Sequence, residues 1–131
     1  MELDLKNLNL AIGQKLTVQG KIPADCTRFE IDLGRDCKNF ALHFNPRWDD
    51  PSDGTIIVIN SVTNGDEYTN EDRVENTLQR DSDVKIVIEL KDKNNFLIQL
   101  PNKSIRFPNH KGMNIDYFRI YGDFLLKSFQ M

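Results

Sequence analysis

Short runs in which apolar and polar residues alternate, each closed by a turn-forming cluster, recur along the chain and constrain its fold more than any other feature. Leu16 and Val18 alternate with Lys15, Thr17 and Gln19 before Gly20. Phe29, Ile31 and Leu33 alternate with Arg28, Glu30 and Asp32 before Gly34, and Phe40, Leu42 and Phe44 alternate with Asn39, Ala41, His43 and Asn45. A period of two marks a strand with one buried face, because successive side chains leave opposite sides of the pleat. Residues 56–59 and 84–90 are β-branched apolar runs, and residues 96–100, 105–107, 115–121 and 124–129 read as further strands. Turn chemistry separates them at Pro23 to Asp25, Asp50 to Gly54, Asn64 to Asp66, Lys91 to Asn95 and Pro108-Asn109. About ten strands at intervals of roughly 8–12 residues predict an all-β sandwich of two antiparallel sheets, which bury their inner faces only against each other. No linker or repeat breaks the pattern, so residues 1–131 are expected to form one domain.

One segment predicts something else. In residues 69–78, Thr69 is a candidate N-cap, Glu71 and Asp72 make an acidic first turn, and Val74 and Leu78 stand four residues apart. Local rules favour a short helix there. A strand would instead put Glu71 and Arg73 on one face, as a charged pair.

Charge and composition narrow the partners. With 39% hydrophobic and 28% charged residues the chain is ordinary for a globular protein. A formal charge of −3 speaks against nucleic acid or an anionic membrane surface, and Lys103, Arg106, His110 and Lys111 are too sparse to make a basic stripe. No run approaches the roughly 18 apolar residues of a membrane span, so membrane insertion is not expected. Met1-Glu2-Leu3-Asp4-Leu5 is acidic where a secretory leader is basic, and predicts a cytoplasmic start. Cys26 and Cys37 are expected to be free thiols, and the sequon at Asn102 would matter only in a secretory lumen.

The candidate chemistry lies between residues 43 and 73. His43, Asn45 and Arg47 share one face of their strand while Phe44 points to the core. An imidazole, a carboxamide and a guanidinium in one row offer donors and acceptors together, which suits a polyhydroxylated ligand. Alone, such a row would read as a wet strand face. Val58 and Asn60 share a parity on the next apolar run, and Glu71 with Arg73 supplies a carboxylate fixed by an arginine.

His43-Phe44-Asn45-Pro46-Arg47, then Ile57 to Asn60, then Glu71-Asp72-Arg73, resemble the core of the galectin carbohydrate-recognition domain. Asn7 to Leu10, Leu16 to Gly20, Phe29 to Gly34 and Arg106 to Asn109 extend the resemblance along essentially the whole chain. It implies a jelly-roll-like sandwich that makes Glu71 and Arg73 strand residues. It also implies a lectin for β-galactosides of the lactose and N-acetyllactosamine type, carried on glycans and glycoproteins. His43, Asn45 and Arg47 would then meet the axial 4-hydroxyl of galactose and its neighbours, and Asn60 and Glu71 the 6-hydroxymethyl group. Glu71 and Arg73 would orient the arginine fork and meet the second sugar. The family stacks galactose on a Trp three residues before this Glu; here that position is Tyr68, which offers less area and a weaker quadrupole. Trp48, by parity, belongs to the core side. The resemblance further allows a homodimer through the terminal strands and export without a leader. The alternative is a structural or interaction protein on the same fold whose sugar binding is lost or altered.

Other classes fit the residues less well. A glycosidase needs two carboxyls flanking the scissile bond, and Glu71 has no acidic mate in the proposed groove. The strand-borne Glu-x-Asp-x-x-Glu arrangement of sandwich glucanases is absent, since Glu30-Ile31-Asp32 is followed by Arg35. No catalytic residues are therefore expected. Asp49 to Gly54 resembles a calcium loop superficially, but Pro51 takes the third ligand position and Asn60 stands where a bidentate Glu is needed. Cys26, Cys37, His43 and His110 lack zinc-ligand spacing. No metal and no cofactor are expected.

Overall fold

The computed structural model describes residues 1–131. Its eleven strands are β1 (Glu2–Lys6), β2 (Lys15–Ile22), β3 (Phe29–Asp36), β4 (Asn39–Asp50), β5 (Gly54–Thr63) and β6 (Glu67–Glu75), followed by β7 (Ser82–Asp92), β8 (Asn95–Leu100), β9 (Lys103–Pro108), β10 (Tyr117–Gly122) and β11 (Leu125–Gln130). One sheet runs β1-β10-β3-β4-β5-β6 and the other β11-β2-β7-β8-β9, with antiparallel pairing throughout. The all-β sandwich expected from the alternation is what the chain forms.

The alternating residues fill the space between the sheets. Leu16, Val18 and Ile22 from β2, Ile86 and Ile88 from β7, and Phe96 and Ile98 from β8 meet Ile31, Leu33, Phe44, Ile57 and Ile59 of the six-stranded sheet in one cluster of 28 buried residues. Trp48 joins that cluster, stacked 5.9 Å from Phe29, and its Nε1–H donates to the Leu78 carbonyl at 3.3 Å. Asn64 and Gly65 take φ of 56° and 82°, the pair of left-handed conformations at the centre of a tight turn, closed by the Asp66 N–H to the Thr63 carbonyl, in the link between β5 and β6.

Three sequence expectations are corrected. Residues 69–75 are not a helix: they lie in β6, the edge strand hydrogen-bonded along β5, as the family resemblance implied. Local helix signals lose because β5 would otherwise leave its backbone groups unpaired, while Val74 reaches the core from a strand and Leu78 from the following loop. The strand expected at 115–121 starts at Tyr117, with Ile115 buried in the loop before it.

The third correction bears on the site. Phe40 does not share an inward face with Leu42 and Phe44. A bulge slips the β3–β4 register, with Leu33 opposite Leu42 but Gly34 opposite Phe40, so that Ala41 and Leu42 both enter the core. Phe40 turns to the outer face and clusters there with Val62 and Tyr117.

The cysteines are both free. Cys26 precedes β3 and Cys37 follows it, so the eight-residue strand holds them about 25 Å apart. Cys26 is buried and donates to the Asp123 carbonyl at 3.3 Å; burial, reinforced by the Asp123 carboxylate, pushes its thiol up to about 12. A thiolate reagent is therefore expected to label one thiol per native chain, Cys37, and a second only in denaturant. Rapid native labelling of two would contradict this burial.

Candidate functional site

The outer face of β4, β5 and β6 carries all eight candidate residues. β4 is the long central strand of its sheet, and its alternation sends His43, Asn45 and Arg47 outward while Phe44 and Trp48 hold it to the core. His43 pairs across the ladder with Asn60, Asn45 with Val58, and Val58 in turn with Arg73. The face is not merely wet: His43 is 5% exposed, Asn45 0% and Asn60 4%. Burial of that depth costs free energy unless the polar atoms are paired.

Most of them are paired. The Asn45 carbonyl oxygen accepts from Arg28 Nη2 and from Arg47 Nε, both at 2.9 Å, and its amide donates to the Phe29 carbonyl at 2.8 Å. Asp53, in the β4–β5 turn, bridges two guanidiniums: Arg47 Nη1 reaches Oδ2 at 2.5 Å and Arg73 Nη1 reaches Oδ1 at 2.8 Å. Arg73 Nε also donates to Glu71 Oε2 at 2.9 Å. The arginine fork is thus fixed from both sides, with Asp53 rather than Glu71 as the partner of Arg47. The turn that superficially resembled a calcium loop has this role instead, and Asp50 shapes it by accepting from the backbone N–H of Ser52 and Asp53. Those two bonds hold the Asp50 carboxyl below its ordinary range.

His43 is hydrogen-bonded at Nδ1 and faces a second carboxylate at Nε2, the nitrogen on the ligand side. Nδ1 lies 2.6 Å from Asp32 Oδ1, and Nε2 lies 3.2 Å from Glu30 Oε2. Arg119 completes the cluster from β10, with Nε to Asp32 at 3.0 Å and Nη2 to Glu30 at 3.3 Å. Burial, then the Asp32 charge, pushes the Glu30 carboxyl up; His43, Arg119 and Arg28 oppose that shift. Burial works against the Arg119 charge, but Asp32 and Glu30 outweigh it and its pKa rises. Glu30, Asp32 and His43 each bring a possible metal ligand within 4.8 Å of one another, a grouping that residue spacing did not reveal. The Arg119 guanidinium already bonds to both carboxylates.

Two features are left out of this network. Tyr68, 58% exposed, sets its ring edge-on to His43 with centroids 5.7 Å apart. The Asn60 side-chain oxygen is buried and has no hydrogen-bond partner. It lies opposite the Asn70–Glu71 bulge of β6, where Asn70 adopts φ of 60°. A buried acceptor without a partner, between an ordered imidazole and a carboxylate, is a place for a ligand hydroxyl.

The sequence reading therefore names the residues on the groove surface, and misses the group beneath and beside it: Arg28, Glu30, Asp32, Asp53 and Arg119. The alternation of Arg28, Glu30 and Asp32 opposite Ile31 and Leu33 carries a signal for three of them. Nothing local marks Asp53 or Arg119.

The family model for galactoside-binding lectins matches residues 2–131. The chain belongs to that family. A beta-galactoside-binding lectin of Gallus gallus is 35% identical to this galactoside-binding lectin over 123 residues, covering 93% of this chain and 90% of the relative. A solved homodimeric agglutinin from chicken liver superposes with a TM-score of 0.93 at 32% identity, covering 99% of this chain and 98% of that one. A toad ovary galectin solved with thio-digalactose superposes with a TM-score of 0.90 at 30% identity, covering 98% and 96%. Likeness at this coverage extends over both sheets and the whole groove.

Proposed function

We propose that the chain is one recognition domain that binds β-galactosides, of the lactose and N-acetyllactosamine type, in the groove on β4, β5 and β6. The unpartnered Asn60 oxygen beside the fixed row His43, Asn45 and Arg47 carries this reading. The 4-hydroxyl of galactose meets His43, Asn45 and Arg47, and the 6-hydroxymethyl group supplies the missing donor to Asn60 and reaches Glu71. Val58 gives the groove an apolar floor, Arg73 meets the second sugar, and Tyr68 offers a ring for the apolar face of galactose.

Binding without chemistry is part of the proposal. Glu71 is engaged by Arg73 and Asp53 by two arginines, so neither is set up as a general acid. Metal independence is supported by the guanidiniums that already serve the nearby carboxylates. A reducing compartment is supported by the two unpaired thiols. A homodimer is supported by the edge positions of β1 and β11, the exposed Leu125 and Met131, and the homodimeric agglutinin likeness. Two grooves on one particle would cross-link glycans with avidity.

Calorimetric titration with lactose and with cellobiose, each in a chelator, tests the reading. The two disaccharides differ in the configuration at the 4-carbon of the non-reducing ring. Lactose binding that survives the chelator, with no heat from cellobiose, is expected. Equal binding of both, or none by a folded protein, would favour the alternative of an interaction protein on this fold, which the reduced stacking area of Tyr68 keeps in view.

A further inference from the structure

The two sheets carry opposite charge. Strands of the six-stranded sheet hold five lysines and arginines against eleven aspartates and glutamates, whereas those of the five-stranded sheet hold seven against three. The formal charge of −3 therefore averages an acidic groove sheet with a basic sheet behind it. We propose that the outer face of β2, β7, β8 and β9 docks a sulfated polysaccharide, on the side of the sandwich opposite the galactoside groove. The inference goes beyond the galactoside reading, which uses only the other sheet.

Three exposed cations on this face take part in no ion pair: Lys15 on β2, Lys85 on β7 and Arg106 on β9. Their neighbours Leu16, Val84, Ile86, Ile105 and Phe107 are buried, so alternation turns the three outward. Lys15 pairs in register with Glu89, Glu89 with Leu97 and Leu97 with Arg106, which sets Lys15 and Arg106 about 14 Å apart. Lys85 stands four residues along β7 from Glu89, about 13 Å away. Between them Thr17, Val87, Gln99 and Ser104 form one row in register, with hydroxyl and amide groups for sugar oxygens.

The acids on this face and its rim are engaged. Asp83 holds Lys127 at 2.8 Å, Glu89 lies 4.0 Å from Lys91, and Asp81 lies 3.4 Å from Lys21. Asp92 accepts from the Asn94 backbone N–H and the Asn95 amide; these bonds, with Arg106 as a lesser contributor, hold its carboxyl below the ordinary range. Against these four acids stand six cations, the three free ones with Lys21, Lys91 and Lys127, so the face stays positive. What the face lacks selects among polyanions. No aromatic ring points outward from β2, β7, β8 or β9 to stack a nucleic-acid base. Val87 and Leu97 are half-buried and supply no apolar side chain for a bilayer. Spaced cations with hydrogen-bonding groups between them suit sulfates on a sugar chain. The acidic sheet opposite repels the same polyanion and leaves the groove free.

The test measures binding to immobilised heparin at about 50 mM salt and upward. Wild type is expected to bind, and to lose affinity steeply as salt rises, because each bound cation displaces a counterion. Replacing Lys15, Lys85 and Arg106 together by Gln should weaken binding by at least about tenfold. Lys6→Gln, Arg35→Gln and Lys38→Gln together remove the same charge from the other sheet and its turn, and should cost less than about threefold. Excess lactose should leave heparin binding unchanged. If the first triple variant does not fold, Lys85→Gln alone, at an exposed site without an ion pair, should still bind severalfold more weakly. No binding by wild type, an equal loss in the two triple variants, or displacement by lactose overturns the proposal. Equal or tighter binding of oligothymidine or of phosphatidylserine vesicles at the same salt also overturns it, by giving the face another partner. A protein that binds heparin but not lactose would defeat the galactoside reading and leave this inference standing.

Discussion

Arg47→Ala is expected to weaken lactose binding by more than about a hundredfold while leaving the fold intact. The loss is direct, because the fork would give up its contacts to the sugar hydroxyls, and charge-assisted bonds of this kind are worth roughly 1.5–3 kcal/mol each. Two such contacts exceed the roughly 2.7 kcal/mol that a hundredfold requires. The framework around the fork survives for a structural reason. Without Arg47, the buried Asn45 oxygen still accepts from Arg28, and the part-exposed Asp53 still binds Arg73 through Oδ1. Calorimetry gives the affinity and thermal unfolding gives the control, with the melting temperature expected within a few degrees of wild type. Arg47→Lys should fail nearly as badly, since a point charge cannot bond Asn45, Asp53 and the ligand in one plane. Unchanged lactose affinity in Arg47→Ala would move the sugar out of this groove.

That prediction uses residues of two kinds, and the difference explains what could be read from the sequence. His43, Asn45, Arg47, Val58 and Asn60 are legible because strand periodicity is local: once Phe44, Ile57 and Ile59 are taken as core, the opposite face follows. The residues that tune the row are supplied by pairing that no window contains. Asp32 meets His43 across eleven residues and Arg119 meets Asp32 across eighty-seven. Asp53 looked like turn chemistry because its backbone neighbours are turn residues; its side chain works elsewhere. The helix signal of residues 69–78 is real as a local preference, and β5 overrides it by offering a full ladder of backbone partners. Family resemblance caught that override where propensity could not. Phe40 is the complementary failure, in which the period was read correctly but a bulge broke it.

The bulge leads to the largest expected effect on stability. Gly34→Ala should destabilise the protein by about 3 kcal/mol or more. A Cβ there would lie 1.9 Å from the Asn39 carbonyl oxygen and 2.7 Å from the Phe40 Cα, and neither is a flexible side-chain end that could move aside. The strands β3 and β4 would have to separate just where their register slips. For a chain of this length, about 4 °C is lost per kcal/mol, so a fall of roughly 10 °C in melting temperature is expected. Gly13→Ala is the matched control: its φ of 86° carries strain, but nothing lies within 4 Å of the added carbon. It should cost only about 1 kcal/mol. A functional consequence follows, because the slip is what turns Phe40 outward, stacked at 6.4 Å and 9° on His43 and at 6.1 Å and 4° on Tyr117. Loosening it frees the imidazole on that side, and lactose affinity measured well below the melting temperature should drop severalfold. A Gly34→Ala protein that melts with Gly13→Ala would mean that the register relaxes at little cost, and that the orientation of His43 rests on Asp32 and Glu30 alone.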